Sequence, residues 1–284
     1  KIHTYVGRGV TVNVPGSVVV YTGFTSNCAA MILSIAGGAV AVGATAAIAI
    51  NNTQAYTYIG ITPSGDVAQG SSLTGGKVTA SGVQVASTLA GNTYVAGVGI
   101  AGGAVAVNAT VALGFNRVKN ITAINGAGIE TTGNIELSGG LSGNTTVVTT
   151  SIAGGAVAVG ATVALAQIKS ENRVFIDSTG VTVKAANIAV KAGDIGAINA
   201  SEASVAIVAG TAGAIAVALN FAIALNQAKN SAEIIGTRGS EASGVYNLDA
   251  SGLIEIGAKG EAHAFAIAAN ASAGLVAASV SFAL

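Results

Sequence analysis

The stretch Ala36-Gly37-Gly38-Ala39-Val40-Ala41-Val42-Gly43-Ala44-Thr45-Ala46-Ala47-Ile48-Ala49-Ile50-Asn51 decides the fold. It returns as AGGAVAVNATVALGFN from Ala101 and as AGGAVAVGATVALAQI from Ala153. More divergent copies are TAGAIAVALNFAIALN from Thr211 and ASAGLVAASVSFAL from Ala271. Anchored on Gly38, Gly103, Gly155, Gly213 and Gly274, the copies lie 65, 52, 58 and 61 residues apart by subtraction of residue numbers. Self-similarity with a period of about 60 residues marks a repeat architecture, and it outranks any domain count drawn from length.

Within each copy, large and small residues alternate with a period of two, which marks strand rather than helix. Val40, Val105, Val157, Ile215 and Val276 share one column, and Ile48, Leu113, Leu165, Ile223 and Leu284 share another. These columns lie an even number of positions apart, so both point to one face of a strand. The opposite face carries Ala41 and its counterparts, then Thr45, Thr110, Thr162, Asn220 and Ser281, then Ala47 and its counterparts. The run of about 12 residues is long for one strand. The column Gly43, Asn108, Gly160, Ala218 and Ser279 therefore predicts a bend or bulge. The larger side chains are expected to fill the core, leaving the Ala/Thr face as a flat contact surface for another sheet, loop or filament; the inverse, with the small side inward, is the alternative for a very thin core.

Polar stretches follow the runs, as in NNTQAYTYIG from Asn51, NRVKNITAIN from Asn116 and NQAKNSAEIIG from Asn226. Lys119, Lys169, Glu171, Arg173 and Lys229 lie in these stretches and predict a solvated face or turn. A second motif, two short alternating strands around a turn, reads VTVNVPGSVVV from Val10, KVTASGVQVAS from Lys77 and IETTGNIELSG from Ile129. It recurs as VTVKAANIAVKAG from Val181 and NLDASGLIEIG from Asn247. The two-part unit divides residues 1–284 into one continuous array with approximate units 1–54, 55–118, 119–170, 171–228 and 229–284. A unit with one apolar face must stack to bury it. The expected fold is therefore all-β: a parallel β-solenoid, specifically a right-handed β-helix, of about five tandem repeats of about 60 residues. Each unit is expected to make two or three coils, with insertions such as 63–76 in loops. Both termini fall inside strand patterns, so the chain reads as a piece of a longer array.

Composition narrows the function classes. Charged residues are 8% of the chain, 12 basic and 12 acidic, scattered singly with zero net charge. Without a basic patch there is nothing to neutralise phosphates, so no nucleic-acid partner is expected. Cys28 is the single cysteine, which excludes an internal disulfide and a cysteine-based zinc site, and it reads as a small buried hydrophobe. The charge-free run from Ala203 to Ala228 is long enough to cross a bilayer as a helix, which makes a multi-span membrane protein the structural alternative. Two-residue alternation, abundant Val and Thr, and the absence of Trp favour strands.

The combination of AGGAVAVGATVAL, the NxxxAxxI tail and the paired GVTV…IAVKA strands resembles repeats of very large secreted proteins of anaerobic Gram-negative bacteria. The fusobacterial leukotoxin and filamentous-haemagglutinin-like adhesins are the group it is similar to. The resemblance implies export by a two-partner or autotransporter route and a β-helical shaft with roles in adhesion, biofilm or cytotoxicity. On that basis the chain is expected to be the structural shaft of an extracellular adhesin or surface filament, at the outer membrane surface. Its expected partners are other copies or neighbouring repeats, through strand stacking and the Ala/Thr-rich faces, and host or bacterial surface receptors. The alternative is a membrane-active segment of a leukotoxin-like toxin.

No catalytic, cofactor-binding or metal residue is expected, and no enzyme. His3 and His263 are the only histidines and stand in no HExxH or HxH arrangement, so a Ser-His-Asp triad has nothing to build on. Asp66, Asp177, Asp194 and Asp249 fall in different units without the repeated pairing that glycan cleavage by paired carboxylates needs. The GGxGxD calcium nonapeptide and a GxxxxGK[ST] phosphate loop are absent. Asn51, Asn108, Asn120, Asn144, Asn199 and Asn270 match N-x-[ST], as chance predicts in a Thr-rich chain.

Overall fold

In the computed structural model, which describes residues 1–63, 76–193, 200–236 and 248–284, the alternation yields strands and, among the described residues, no helix. The strands form four parallel sheets, visited in the same order on every pass. The first sheet holds Ile2–Val6, Gln54–Gly60, Lys119–Asn125, Glu171–Asp177 and Lys229–Ile235. The second holds Thr11–Asn13, Lys77–Ala80, Gly128–Thr131, Val183–Ala185 and Leu248–Ala250. Long strands make the third: Ser17–Gly37, Gly82–Gly102 and Ile135–Gly154, continued by Ile188–Ala192 with Ala200–Ala212, then Ile254–Ala258 with Glu261–Ala273. The fourth holds the AVAV runs: Val40–Asn51, Val105–Asn116, Val157–Ile168, Ile215–Asn226 and Val276–Ala283. Stacked parallel sheets of this kind are the architecture of a β-solenoid.

Strand pairing corrects the expected coil count. Val40 pairs with Val105, Val105 with Val157, Val157 with Ile215 and Ile215 with Val276. These partners are separated by the same intervals as the repeat, so each unit closes one coil rather than two or three. The reason is strand length. The third and fourth sheets take up to 21 and 12 residues per pass, so one circuit consumes the whole repeat.

A coil has two parts. The first and second sheets and the leading half of the third enclose a body packed with large aliphatics: Val83, Val85, Ile124, Ile129, Ile135 and Ile176 are all buried. The second sequence motif supplies much of this core, as its two short strands become the second sheet and the start of the third. Beyond Cys28 and its counterparts, the third sheet leaves the body, turns at the AGGA segment and returns as the fourth sheet. The two layers form a thin blade projecting from the body. Its interior consists of Ala47, Ala112, Ala164, Val95, Val147 and their neighbours.

Burial in the blade overturns the expected polarity. Ala41 is 2% exposed and Ala47 fully buried, whereas Val40, Val42 and Ile48 are 69%, 68% and 54% exposed. The Ala and Thr columns expected to form a contact face point inwards, and the Val/Ile/Leu columns point out. Two facing strands joined by a two-residue turn lie too close for a double layer of Val and Leu, and Ala, Gly, Thr and Ser fit between them. The expected bend at Gly43, Asn108, Gly160, Ala218 and Ser279 is also absent, since pairing runs unbroken through that column. Its small members make room instead: Asn108 is fully buried, and a methyl on Gly43 would press on its Oδ1.

The anchor glycine of the repeat has a steric cause. A Cβ on Gly103, Gly155, Gly213 or Gly274 would overlap the carbonyl oxygen of the equivalent glycine in the preceding coil. The blade tips therefore stack backbone on backbone, and only glycine permits the approach.

Candidate functional site

Ladders of like residues are the local consequence of in-register stacking. His3 stacks on Tyr56 at 4.8 Å, Tyr5 on Tyr58 at 5.0 Å and Phe221 on Phe282 at 5.3 Å. A Thr/Asn ladder runs through the blade, with Thr45, Thr110, Thr162 and Asn220 paired in register and buried inside it. Asn120 donates to the Oδ1 of its neighbour Asn172 at 3.1 Å. Such ladders lock register and bring no reactive groups together.

The residues weighed for chemistry stay apart. His3 lies in the first sheet, while His263 is in the third, 3.9 Å from Glu261. Asp177 ends a strand of the first sheet, where its carboxylate accepts from the Thr179 amide. Asp249 sits in the second sheet, 3.9 Å from Lys184, and Asp66 and Asp194 lie outside the described residues. Among the described residues no group of three His, Cys, Asp or Glu side chains is placed to hold a metal. Cys28 is half-buried at the root of the blade, its thiol 3.7 Å from the Ile50 carbonyl, rather than fully buried. Of the N-x-[ST] asparagines, Asn51, Asn108 and Asn120 are buried in strands, and Asn199 lies outside the described residues.

One role was not foreseen. Asn51, Asn116 and Asn226, which open the polar stretches, reach across the root of the blade to backbone carbonyls of the third sheet. Asn116 donates to the Gly91 carbonyl at 2.6 Å and Asn226 to the Ser201 carbonyl at 2.7 Å, while Asn51 reaches that of Ser26 at 3.3 Å. They clamp the neck between blade and body. The recurrence of Asn at the end of three of the runs, with Ile168 in its place in the third, was the available signal.

Charge is partitioned sharply around that neck. Segments 28–51, 93–116, 145–168, 203–228 and 264–284 build the blade and contain no Lys, Arg, Asp or Glu. Immediately beyond the fourth sheet, Arg117, Lys119, Lys169 and Lys229 line a depression of about 750 Å³ with Glu171 as its one acid. Lys119 pairs with Glu171 at 3.2 Å, and Arg117 lies 5.6 Å from the centroid of the Phe115 ring. Among the described residues, Arg117, Lys169 and Lys229 form no ion pair. Elsewhere on the first sheet Arg173 binds Glu233 through two nitrogens, at 3.2 and 2.7 Å, and these hydrogen bonds hold the Glu233 carboxyl below the usual carboxylate range.

The blade's outer faces are largely apolar on both sides, with Thr146, Thr150 and Ser204 as polar members on the third sheet. Val40, Ile48, Leu219 and Phe221 are exposed on the fourth sheet, as are Met31, Leu33, Ile35, Ile152 and Val208 on the third. Contiguous apolar surface of this extent on two sides of one element marks an interaction surface. The Ala203–Ala228 run, weighed as a helix, is two strands of the blade; no helix of the described residues is long and apolar enough to cross a membrane, which says nothing of strands. No family model, curated protein or solved structure matches this chain.

Proposed function

We propose that the chain is a shaft segment of an extracellular bacterial adhesin or surface filament: a right-handed β-solenoid of five coils, one per repeat. The observation that carries it is the in-register parallel stacking from Val40 through Val105, Val157 and Ile215 to Val276. Right-handedness follows from the strong preference of parallel crossover connections for that hand. A solenoid contacts only its neighbours, so coils add length without a new core, which suits a spacer. Its partners on this reading are other copies, joined at the parallel edges of the end coils, and surface receptors.

Solution scattering tests the shaft. Two copies of the chain fused in register should lengthen by about 24 Å, at roughly 4.8 Å per coil. A fusion that scatters as two separate beads sinks the reading. Location is tested by brief proteolysis of intact producing cells, which should remove the segment; full protection inside intact cells counts against an extracellular role.

A further inference from the structure

We infer that the blade inserts tip-first into the hydrocarbon of a lipid bilayer, with Arg117, Lys169 and Lys229 at the anionic headgroups. The inference goes beyond the shaft and rests on the blade alone. The first observation is inverted polarity. In the fourth sheet Thr45, Thr110, Thr162 and Asn220 are inside and Val, Ile, Leu and Phe outside, which is the alternation of strands that face lipid.

Length agrees as well. Val40–Asn51 extends about 36 Å at roughly 3.3 Å per residue, against a hydrocarbon core of about 30 Å. The root then carries three cations that form no ion pair among the described residues, Arg117 beside Phe115, where headgroups would lie. Strands of the inner coils are paired on both sides, as lipid demands. The two end coils present edges, which in lipid must pair with those of neighbouring copies.

The tip separates lipid from a second copy as the occupant. Copies stacked face to face would cover the flat sides and leave the tips in water, where turns normally carry polar residues. Here the tips are Gly38-Ala39, Gly103-Ala104, Gly155-Ala156, Gly213-Ala214 and Gly274-Leu275, with Leu275 92% exposed. No polar side chain in them resists passage through hydrocarbon.

The test places an environment-sensitive dye on the outer face at mid-blade, as Ala109→Cys in a Cys28→Ala background. The whole chain is mixed with vesicles of phosphatidylcholine and phosphatidylglycerol, with or without bromine on the acyl chains. A blue shift quenched by the brominated lipid is expected. Val163→Lys, outward and partly exposed, should keep the strand spectrum in water yet lower the bound fraction on the order of a hundredfold. Replacing Arg117, Lys169 and Lys229 by Gln should weaken binding roughly fivefold per charge on these vesicles and leave binding to phosphatidylcholine alone unchanged. A shift that grows with protein concentration but is untouched by brominated lipid identifies a second copy and overturns the proposal. So does the absence of any shift, or vesicle binding indifferent to Val163→Lys. Neither outcome alters the fusion-length result expected of the shaft.

Discussion

Glycine in the repeat's anchor column is fixed by contact with its own counterpart in the coil below. A methyl at Gly155 would overlap the Gly103 carbonyl oxygen, whereas at the adjacent Gly154 nothing lies within 4 Å of it. Backbone cannot move aside as a flexible side chain can, so the overlap must be relieved by parting the stacked tips. Gly155→Ala is expected to cost roughly 1–3 kcal/mol, the usual penalty of overpacking, and Gly154→Ala almost nothing. Ala212 and Ala273 already occupy the position of Gly154 in later coils, in register with it. Urea denaturation of the two variants side by side checks the difference. Equal stability would mean that the tips do not stack. The glycine column was legible in the sequence as a recurrence, but its cause was not, because the clash is with residues one full coil away.

The element that defied expectation is the strand of the AVAV run. Alternation showed that it has two unlike faces, and that much was legible. Which face turns inward was not, since Ala and Val are both apolar and either set can pack against a sheet. Spacing between the sheets decides it. The two-residue turn Gly155-Ala156 brings third and fourth sheets so close that Ala164 is fully buried while Leu165 beside it is half-buried on the outside. Two substitutions separate the orientations. Ala164→Val adds volume to a filled layer and should destabilise by about 1–3 kcal/mol. Leu165→Ala removes surface that is already partly wet and should cost less than about 1 kcal/mol, well below the roughly 2–5 kcal/mol of a core leucine. Thermal melts that rank these variants the other way would place the large residues inside. The absent bend at Gly43 has the same origin, because smallness in that column serves the thin interior rather than a change of direction.

At the scale of the whole molecule, the coil count was hidden because the period of about 60 residues says how often a pattern returns and not how many corners it turns. Pairing intervals supply that number: Val157 and Ile215 are partners, so the 58 residues from 157 to 214 are one complete circuit. Removing residues 157–214 should therefore leave a foldable protein. Ile215 would follow Ala156 directly and take the place of Val157 beside Val105; the first, second and fourth sheets would lose one strand each and the third would lose Ile188–Ala192 with Ala200–Ala212, without a change of register. Because a solenoid's stability is a sum over coils and their contacts, unfolding should remain cooperative at lower denaturant concentration. Its dependence on urea should fall by about a fifth with the surface buried. Removing residues 157–185 instead takes away parts of three sheets but leaves the blade's outgoing strand without its return. Ala203, Val205 and Ile207 would then lose the Ala164 and Ala166 layer they pack on in the blade interior. That shorter deletion removes fewer residues and should still be the more damaging, losing the strand spectrum or aggregating. Stability that simply tracked the number of residues removed would show that the coil is not the unit on which this fold is built.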